Sequence, residues 1–236
     1  MLKSKALFFK KVNIHIIQEK LSFRTKMVYD VSMKGNERDM MKYEKINEII
    51  QMNKGIIQTS QVIEIGISKP LFYSYVQENG LKQIAHGIYV TENAWIDAMY
   101  ILHLRSKESI FSHESALFFH DLTDREPTQL VVTVKTGYNP SRLKLDGIQV
   151  YTVKKELHDL GLTMMKTTFG NEVPVYDMER TICDLIRNRK SIEIQIFQDA
   201  LKRYAKRKDK NLRRLMKYAK EFRVESILNQ YLEVLL

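Results

Sequence analysis

A short polar series at the end of the first third of the chain has the side chains that proteins use to contact DNA. Gln77 can form a bidentate pair with adenine, and Lys69 can donate to guanine or to a phosphate oxygen. Tyr73 and Ser74 add hydroxyl groups on the same predicted helix face, and Ser68 immediately precedes the series. These residue types indicate hydrogen bonding to base edges and phosphates.

Two helices joined by a tight turn are predicted to position this series. Thr59 or Ser60 can cap the first helix, because a hydroxyl before an apolar run satisfies free backbone N–H groups. Gly66 ends that helix. Ser68 is expected to cap the second, with Pro70 in its first turn, where a missing N–H costs nothing. The pattern is typical of a helix-turn-helix that lays its second helix in the major groove.

Apolar spacing predicts the buried face of the second helix, and a hairpin is predicted after it. The stripe formed by Phe72, Tyr75 and Val76 is expected to pack against three isoleucines: Ile49, Ile63 and Ile67. Short apolar runs at 81–84 and 88–90 flank His86 and Gly87, which favours a hairpin turn. Lys82 and His86 would then be DNA-contacting residues of a wing.

The remainder of the chain alternates helical and strand-like patterns. A helix is predicted over 93–106 with Trp95 and Ile96 in its apolar array, and a second helix is capped by Ser112. Four β runs follow, the first two separated by a Gly/Asn/Pro/Ser loop at 137–141, and the pattern is helical from Asp177 onward. The predicted class is therefore α+β.

Three segments are predicted. A winged helix-turn-helix domain occupies 42–92, and an α+β domain with a helical C-terminal tail occupies 93–236. Residues 1–41 lack a clean period and are expected to form a frayed or weakly docked extension. Two alternatives for them are an added helix and an over-long start, with Met40 or Met41 as the natural initiator.

The net charge of +10 is concentrated at the two ends of the chain. Residues 42–92 carry five basic and five acidic side chains, whereas residues 177–236 carry fifteen basic and nine acidic ones. The densest part, 202–220, is expected either to hold a nucleic-acid backbone or to be a solvated helix face. The predicted phosphate contacts are Lys206, Arg207, Lys210 and Arg214.

Composition excludes several classes of protein. The 44% hydrophobic and 28% charged content is that of an ordinary globular chain. A single cysteine permits no internal disulfide, which favours a reducing cytoplasm. No apolar run approaches the roughly 18 residues of a membrane span, so a cytoplasmic location without membrane contact is expected.

Enzyme chemistry has weak support in this sequence. His113 and His120 are spaced to share a helix face, but a metal site would need a further ligand, and neither a metal nor another cofactor is expected. The carboxylates Asp177, Glu179 and Asp184 could form a nuclease-like site. The favoured interpretation is instead that Asp177 caps a helix and that an ion-pair series lies on one flank of it: Arg180, Asp184 and Arg187.

Several segments, in this order, resemble a known family. GIYV follows the predicted hairpin, and then come FSHESALFFHDL, VTVKTGYNP, the Gly161-Leu162 pair and VYDMERTICDLIRNR. Together they are similar to the AbiE-type antitoxins of bacterial type IV toxin–antitoxin (abortive infection) systems. The resemblance covers roughly 42–236, is specific in its middle and is weak in the helical tail.

The resemblance implies a function that is not enzymatic. In that family the winged helix binds and represses the operon promoter, and the larger domain is needed to neutralise a nucleotidyltransferase-like toxin, without requiring a stable complex. Promoter DNA and such a toxin are therefore the expected partners. Two alternatives remain: a DNA-targeted nuclease of the restriction type, and a plain transcriptional regulator with a ligand-responsive C-terminal domain.

Overall fold

The computed structural model describes residues 39–235, and this span divides into two compact units between Trp95 and Ile96. Both units combine helices with antiparallel strand pairs, so the predicted α+β class is confirmed. The extension predicted over 1–41 lies outside the described residues up to position 38, and positions 39–41 belong to the first helix. Within the described span, no helix is long and apolar enough to cross a membrane.

The first unit, as far as the structure describes it, is a small helical unit with one antiparallel sheet. Its strand order is β1-β3-β2. Its elements are α1 (39–52), β1 (Ile56–Gln58), α2 (Thr59–Glu64), α3 (Lys69–Glu78), β2 (Lys82–Ala85) and β3 (Ile88–Val90).

Helix α2 begins directly where strand β1 ends. The residue in the capping position is Gln58, whose backbone N–H donates to Oε1 of Gln61 at 3.0 Å. Thr59 and Ser60 are already helical, so the prediction that one of them caps α2 is wrong. The sequence pattern could not show that the chain stays extended, paired with β3, up to the first helical residue.

The core of the first unit is formed by α1, α2, α3 and the sheet. Its buried members are Ile46, Ile50, Ile57, Val62, Ile67, Phe72, Tyr75, Leu81 and Tyr89. The predicted packing of Phe72 and Tyr75 with Ile67 is confirmed. The prediction for Ile63 is wrong: it is 43% exposed, and Val62 is buried instead. Successive residues of a helix point about 100° apart, so only one of the two can face α3.

The second unit is a larger domain with one five-stranded mixed sheet. Its first elements are α4 (Ala98–Arg105), β4 (Ile110–Phe111), α5 (His113–Phe119), β5 (Val131–Lys135), α6 (Ser141–Leu145), β6 (Gln149–Val153) and α7 (Lys155–His158). They are followed by β7 (Leu162–Lys166), β8 (Glu172–Tyr176), α8 (Met178–Arg187), α9 (Ile194–Lys206), α10 (Leu212–Glu221) and α11 (Glu225–Leu235).

The strand order in this sheet is β6-β5-β4-β8-β7. Strands β5 and β6 are parallel, with Val131 opposite Gln149, and β4 pairs with β8 in parallel and with β5 antiparallel. Parallel neighbours need a crossover rather than a tight turn. Accordingly, the loop predicted at 137–141 leads into α6, which belongs to the crossover between β5 and β6. The sequence pattern revealed neither α6 nor the two-residue strand β4.

Two apolar clusters hold the second unit together. One lies between the sheet and helices α4, α5 and α6, and includes Phe111, Val132 and Val175. The other is built mainly by α5, α8, α9, α10 and α11, with Ile182 and Leu201 among its members. Helix α5 contributes to both clusters, so it links the sheet to the C-terminal helices.

Helix α4 starts later than the apolar pattern predicts. Its N-cap is Asp97, whose Oδ1 accepts from the backbone N–H of Tyr100 at 3.0 Å. The other oxygen, Oδ2, accepts from Thr167 Oγ1 at 2.6 Å and from Asn171 Nδ2 at 2.8 Å. These bonds fix the start of the helix, so Trp95, 79% exposed, precedes it, and the helix predicted over 93–106 is too long at its N-terminal end.

Candidate functional site

The turn between α2 and α3 is built by residues that each have a structural reason to be there. Gly66 adopts a φ of +80°, which an L side chain rarely tolerates, and Ile67, 3% exposed, fills the space beneath the turn. Ser68 occupies the N-cap position of α3, as predicted, but its hydroxyl makes no capping hydrogen bond. Pro70 lies in the first turn of α3.

The buried face of α3 fixes how the helix is rotated. Phe72 is fully buried and meets the ring of Tyr89 edge-on at 5.3 Å between centroids. Tyr75 is also buried, with Tyr43 of α1 edge-on at 4.9 Å, and its hydroxyl donates to Oδ1 of Asn47. Edge-to-face aromatic pairs have a preferred geometry, so these contacts restrict rotation of α3 about its axis.

The opposite face of α3 is polar and exposed. It carries all five residues that the sequence predicts there: Ser68, Lys69, Tyr73, Ser74 and Gln77. In the part of the chain that the structure describes, Lys69 has no carboxylate within 4 Å. Hydroxyl, ammonium and amide groups therefore project together from one short helix, the arrangement that direct reading of base edges requires.

The β2–β3 hairpin presents the other two predicted residues. Lys82 and His86 are both exposed, and Gly87 next to His86 has a φ of +70° at the turn. Lys82 Nζ lies 3.8 Å from Oε1 of Glu92, but both side chains are well exposed, so this pair is weak and screened by salt. The ammonium group of Lys82 is therefore free to leave Glu92 and contact a DNA phosphate instead.

The predicted phosphate contacts of the C-terminal tail do not form one free basic surface. Lys206 is exposed, but the guanidinium of Arg207 forms a fork with both oxygens of Asp209 at 2.8 Å. Lys210 donates from Nζ to the backbone carbonyl of Arg207 at 3.0 Å. The prediction that these residues contact phosphate stays a prediction, because an exposed ion pair such as Arg207 with Asp209 is weak and screened by salt.

Arg214, the fourth predicted contact, faces carboxylates of α8. Its Nη1 lies 3.6 Å from Oδ2 of Asp177 and 3.8 Å from Oε2 of Glu179. The free cations of α10 are instead Arg213 and Lys217, both exposed and, among the described residues, without an acidic partner within 4 Å. Their i, i+4 spacing in the sequence could have singled them out.

The three carboxylates considered for a nuclease site have separate structural tasks. Asp177 accepts from the backbone N–H of Arg180 at 2.8 Å, which confirms the predicted cap, and burial raises its pKa. Glu179 is buried and accepts from the backbone N–H of Asn211 at 2.8 Å. Arg214 brings Asp177 and Glu179 together, whereas Asp184 is held by Arg180.

The predicted ion-pair series is confirmed for Arg180 and Asp184, which form a buried pair, whereas Arg187 has no carboxylate within 4 Å in the described part of the chain. Arg180 has no exposed surface, and its Nε lies 3.0 Å from Oδ2 of Asp184. Its Nη1 donates to the carbonyls of Leu157 at 2.8 Å and Leu160 at 2.6 Å. Burial raises the pKa of Asp184 to about 6, although the Arg180 charge opposes the shift.

Aromatic rings complete the environment of Arg180. Its guanidinium carbon lies 4.0 Å from the ring centre of Tyr176 and 4.1 Å from that of Phe222. Arg187, the outer member of the predicted series, is exposed, with its guanidinium carbon 5.8 Å from the Phe222 ring centre. Arg180 therefore belongs to the core of the second unit, and Arg187 to its surface.

His113 is a buried hydrogen-bonded residue. Asn188 Nδ2 donates to its Nε2 at 2.9 Å, so its Nδ1–H is left to donate to Ser112 Oγ at 3.0 Å. The ring stacks on Tyr151 at 3.7 Å. Burial, assisted by the nearby arginine charges, lowers the pKa of His113 to about 3, which keeps the ring neutral.

The two histidines are not brought to a common site. His120 Nε2 lies 2.7 Å from the backbone carbonyl of Tyr176, away from the partners of His113. Cys183 is fully buried, and burial raises the pKa of its thiol. A search of residues 39–235 gives no group of three or more His, Cys, Asp or Glu side chains that could hold a metal ion.

Comparison with known proteins identifies a similar fold but assigns the chain to no family. No family model matches the chain, and no curated protein matches it. Among solved structures the chain is similar to the crystal structure of RV2827C protein from Mycobacterium tuberculosis, with a TM-score of 0.53 and 13% sequence identity. The match covers 74% of this chain and 69% of that chain. At this identity the similarity shows a shared fold alone.

Proposed function

We propose that the protein is a DNA-binding transcriptional repressor and that residues 39–95 form its winged helix-turn-helix domain. In this proposal α2 and α3 are the two helices of the motif, α3 is the recognition helix, and the β2–β3 hairpin is the wing. The order of elements, helix, strand, helix, helix and two strands, supports this assignment. With ten residues, α3 is about 15 Å long, which suits the major groove.

The observation that carries the proposal is the division of α3 into two faces. Phe72 and Tyr75 pack the helix onto its own unit. On the opposite face Lys69 and Gln77 are exposed, and Tyr73 is 43% exposed with its ring centre 6.5 Å from that of Tyr89. The amide of Gln77 can pair with both N6 and N7 of adenine, and Lys69 can donate to guanine or phosphate. Any surface helix has a polar outer face, so support for the proposal comes from the residue types on that face and not from its polarity.

In this proposal only a few residues supply the affinity for DNA. The segment 42–92 is neutral by count, so counterion release from this unit alone provides little affinity. Binding therefore depends on base contacts of α3, on Lys82 of the wing, and on cations of the second unit that have no carboxylate partner, such as Arg213 and Lys217. We expect a shallow dependence of affinity on salt compared with a strongly basic repressor.

The resemblance to AbiE-type antitoxins supports a more specific role. We infer that the protein represses its own operon and that residues 96–236 antagonise a nucleotidyltransferase-like toxin encoded beside it. The segments that carry this resemblance include α5 and α8, whose side chains are largely core residues of the second unit. They support a shared domain structure, so the residues that act on the toxin should be sought on the surface around them.

Two experiments test the two parts of the proposal. In the first, the full chain is added to the DNA upstream of its gene, and protection from nuclease digestion is mapped. A protected block at a defined position is expected. Uniform weak protection at every position would contradict sequence-specific repression.

In the second experiment, the toxin is induced together with the full chain carrying Lys69→Ala and Gln77→Ala. These substitutions are on the exposed face of α3, so the second unit stays intact. We expect loss of promoter repression with growth rescue retained. Loss of rescue together with repression, at normal protein levels, would show that the antitoxin role does not reside in residues 96–236.

A further inference from the structure

A basic cavity lies in the second unit, at the C-terminal ends of helices α8 and α10. Its volume is about 580 Å³, within the range of cavities that hold small ligands. The lining residues are Lys154, Glu156, Leu157, Arg187, Lys220, Glu221, Phe222 and Arg223. This cavity takes no part in the proposed recognition of DNA by α3.

The charges around the cavity are unbalanced. Four cations and two carboxylates line it, and the two carboxylates do not pair with the cations. Lys220 has a partner outside the cavity, Glu225, at 3.7 Å. Across the described part of the chain, Lys154, Arg187 and Arg223 have no carboxylate within 4 Å. Three cations without such partners facing one recess attract an anion.

The backbone of Arg223 has an uncommon conformation, which offers a way to test the role of its side chain. Helix α10 ends in a pair of bonds, from Arg223 N to Lys220 O at 3.0 Å and from Val224 N to Ala219 O at 2.9 Å. This is the Schellman arrangement, in which the residue at the position of Arg223 is usually glycine. Arg223 has a φ of +56° there, a strained conformation for a side chain with a Cβ. Glycine would adopt this conformation with less strain, as it would at Lys54 and Asp121, which have the same positive φ and the same pair of backbone bonds.

Stabilisation of helix C-termini accounts for only some of the cations that line the cavity. Arg187 and Lys220 lie in the last turns of α8 and α10, where a cation is stabilised by the helix dipole. Lys154 precedes the short helix α7, and Arg223 lies beyond the end of α10. Neither of these two is needed to neutralise a helix terminus.

We propose that this cavity binds a small ligand through a diphosphate group. The guanidinium groups of Arg187 and Arg223 form forked hydrogen bonds to phosphate oxygens, and the ammonium groups of Lys154 and Lys220 act as point charges beside them. The concave shape favours a compact phosphorylated molecule over an extended phosphodiester backbone. Phe222 is 6% exposed and already stacks on Arg180, so the phosphate chemistry, and not a base, defines the ligand.

The first test is calorimetric titration of the full chain with sodium pyrophosphate and, separately, with ADP. Pyrophosphate should bind, and a similar affinity for ADP identifies nucleotides as a second source of the same group. Arg187→Gln with Arg223→Gln should weaken binding about tenfold or more, since each removes a charge-assisted contact. Lys202→Gln with Lys208→Gln makes the same change of charge at exposed positions that do not line the cavity, and should weaken it less than about threefold.

Equal weakening by the two double variants would overturn the proposal, because it would show a diffuse charge effect. So would the absence of pyrophosphate binding up to about 5 mM. If pyrophosphate does not bind and the Arg187 and Arg223 variant binds DNA more weakly, the cavity is a contact for DNA phosphate and the proposal is wrong.

A second test uses the strained backbone. Arg223→Gly should raise the midpoint of thermal unfolding, because it relieves the backbone strain. It should also lower the affinity for pyrophosphate, because it removes a guanidinium group from the cavity. The control is Asp121→Gly, because Asp121 has a φ of +56° after α5, with the same pair of backbone bonds around it. That variant should leave pyrophosphate affinity unchanged. An Arg223→Gly protein that is more stable and binds pyrophosphate as well as before would refute the site.

Discussion

Replacing Arg180 with methionine tests whether the buried ion pair is part of the core of the second unit. The substitution keeps an unbranched side chain between the Tyr176 and Phe222 rings, but it removes every polar contact of the guanidinium. Asp184 is then left without its cation, and the carbonyls of Leu157 and Leu160 lose their donor.

The magnitude follows from these contacts. Removing one partner of a buried ion pair costs about 3–5 kcal/mol, and the released carbonyls regain only part of their bonding to water. We expect Arg180→Met to lower the free energy of unfolding of the second unit by about 4 kcal/mol. Arg187→Met, on the same helix but exposed, should change it by about 0.5 kcal/mol or less.

The deficit should depend on pH. The pKa of Asp184 is raised in the folded protein, so the folded state binds a proton more readily than the unfolded state does. Without Arg180 this pKa rises further, because the opposing charge is gone. Protonation then relieves the unpaired carboxylate, and the stability difference between wild type and Arg180→Met should shrink as the pH falls from about 8 to about 5.

The assay is urea unfolding of the full chain, followed by circular dichroism, with separate transitions fitted for the two units. The double variant Arg180→Met with Asp184→Leu should recover about half of the loss, since it removes the unpaired charge. If Arg180→Met costs no more than Arg187→Met, or if its deficit is the same at all pH values, the buried-pair account is wrong.

Three further predictions concern other packed positions. Gly161→Ala should destabilise the protein by about 2 kcal/mol more than Gly147→Ala in the same unfolding assay, because a Cβ at Gly161 would lie 2.6 Å from Cβ of Arg180, whereas Gly147 has open space. Equal losses would exclude the clash. The ring of His113 should stay neutral in NMR titrations down to about pH 4, since its pKa is lowered to about 3; titration near pH 6 would contradict its burial. Cys183 should react with a thiol reagent only after denaturant is added, because burial raises its pKa; rapid labelling of the native protein would contradict this.

The parts of the structure that follow from local patterns were predictable from the sequence. The polar face of α3 required only the helical spacing of Lys69, Tyr73 and Gln77, and the hairpin required only two apolar runs around Gly87. The cap of α8 by Asp177 has the same local character, because acceptor and donor are close together in sequence.

The features that the sequence could not predict depend on distant partners. Helix α4 starts at its cap, Asp97, because Thr167 and Asn171 bind that carboxylate, and the apolar pattern around Trp95 contains no trace of them. Arg180 is buried because α8 packs against α7 and the residues just after it, where the carbonyls of Leu157 and Leu160 accept its hydrogen bonds, and against the ring of Phe222. Helical spacing was enough to predict that Arg180 pairs with Asp184, but it could not show that this pair is buried or that Arg187 lies outside it.

Partners that are not visible in the local sequence also determine which cations of the segment 202–220 lie near carboxylates. A count of charges in 202–220 gives the correct net charge of the segment, but it does not show which basic side chains pair with carboxylates. Arg214 lies near Asp177 and Glu179, and Arg207 pairs with Asp209, contacts that a count of charges does not show. Arg213 and Lys217 have the same residue types and nearby positions, yet they face solvent.

A ratio of two affinities tests most directly whether α3 reads DNA sequence. Fluorescence anisotropy should measure binding of the full chain to its own upstream DNA and to a scrambled fragment of equal length at one salt concentration. Lys69→Ala with Gln77→Ala should lower the ratio about tenfold or more, since each lost base contact costs about 1–3 kcal/mol. Lys45→Ala with Gln51→Ala changes the same residue types at exposed positions of α1 and should leave the ratio unchanged. A ratio that both double variants lower equally, or that neither lowers, would contradict the claim.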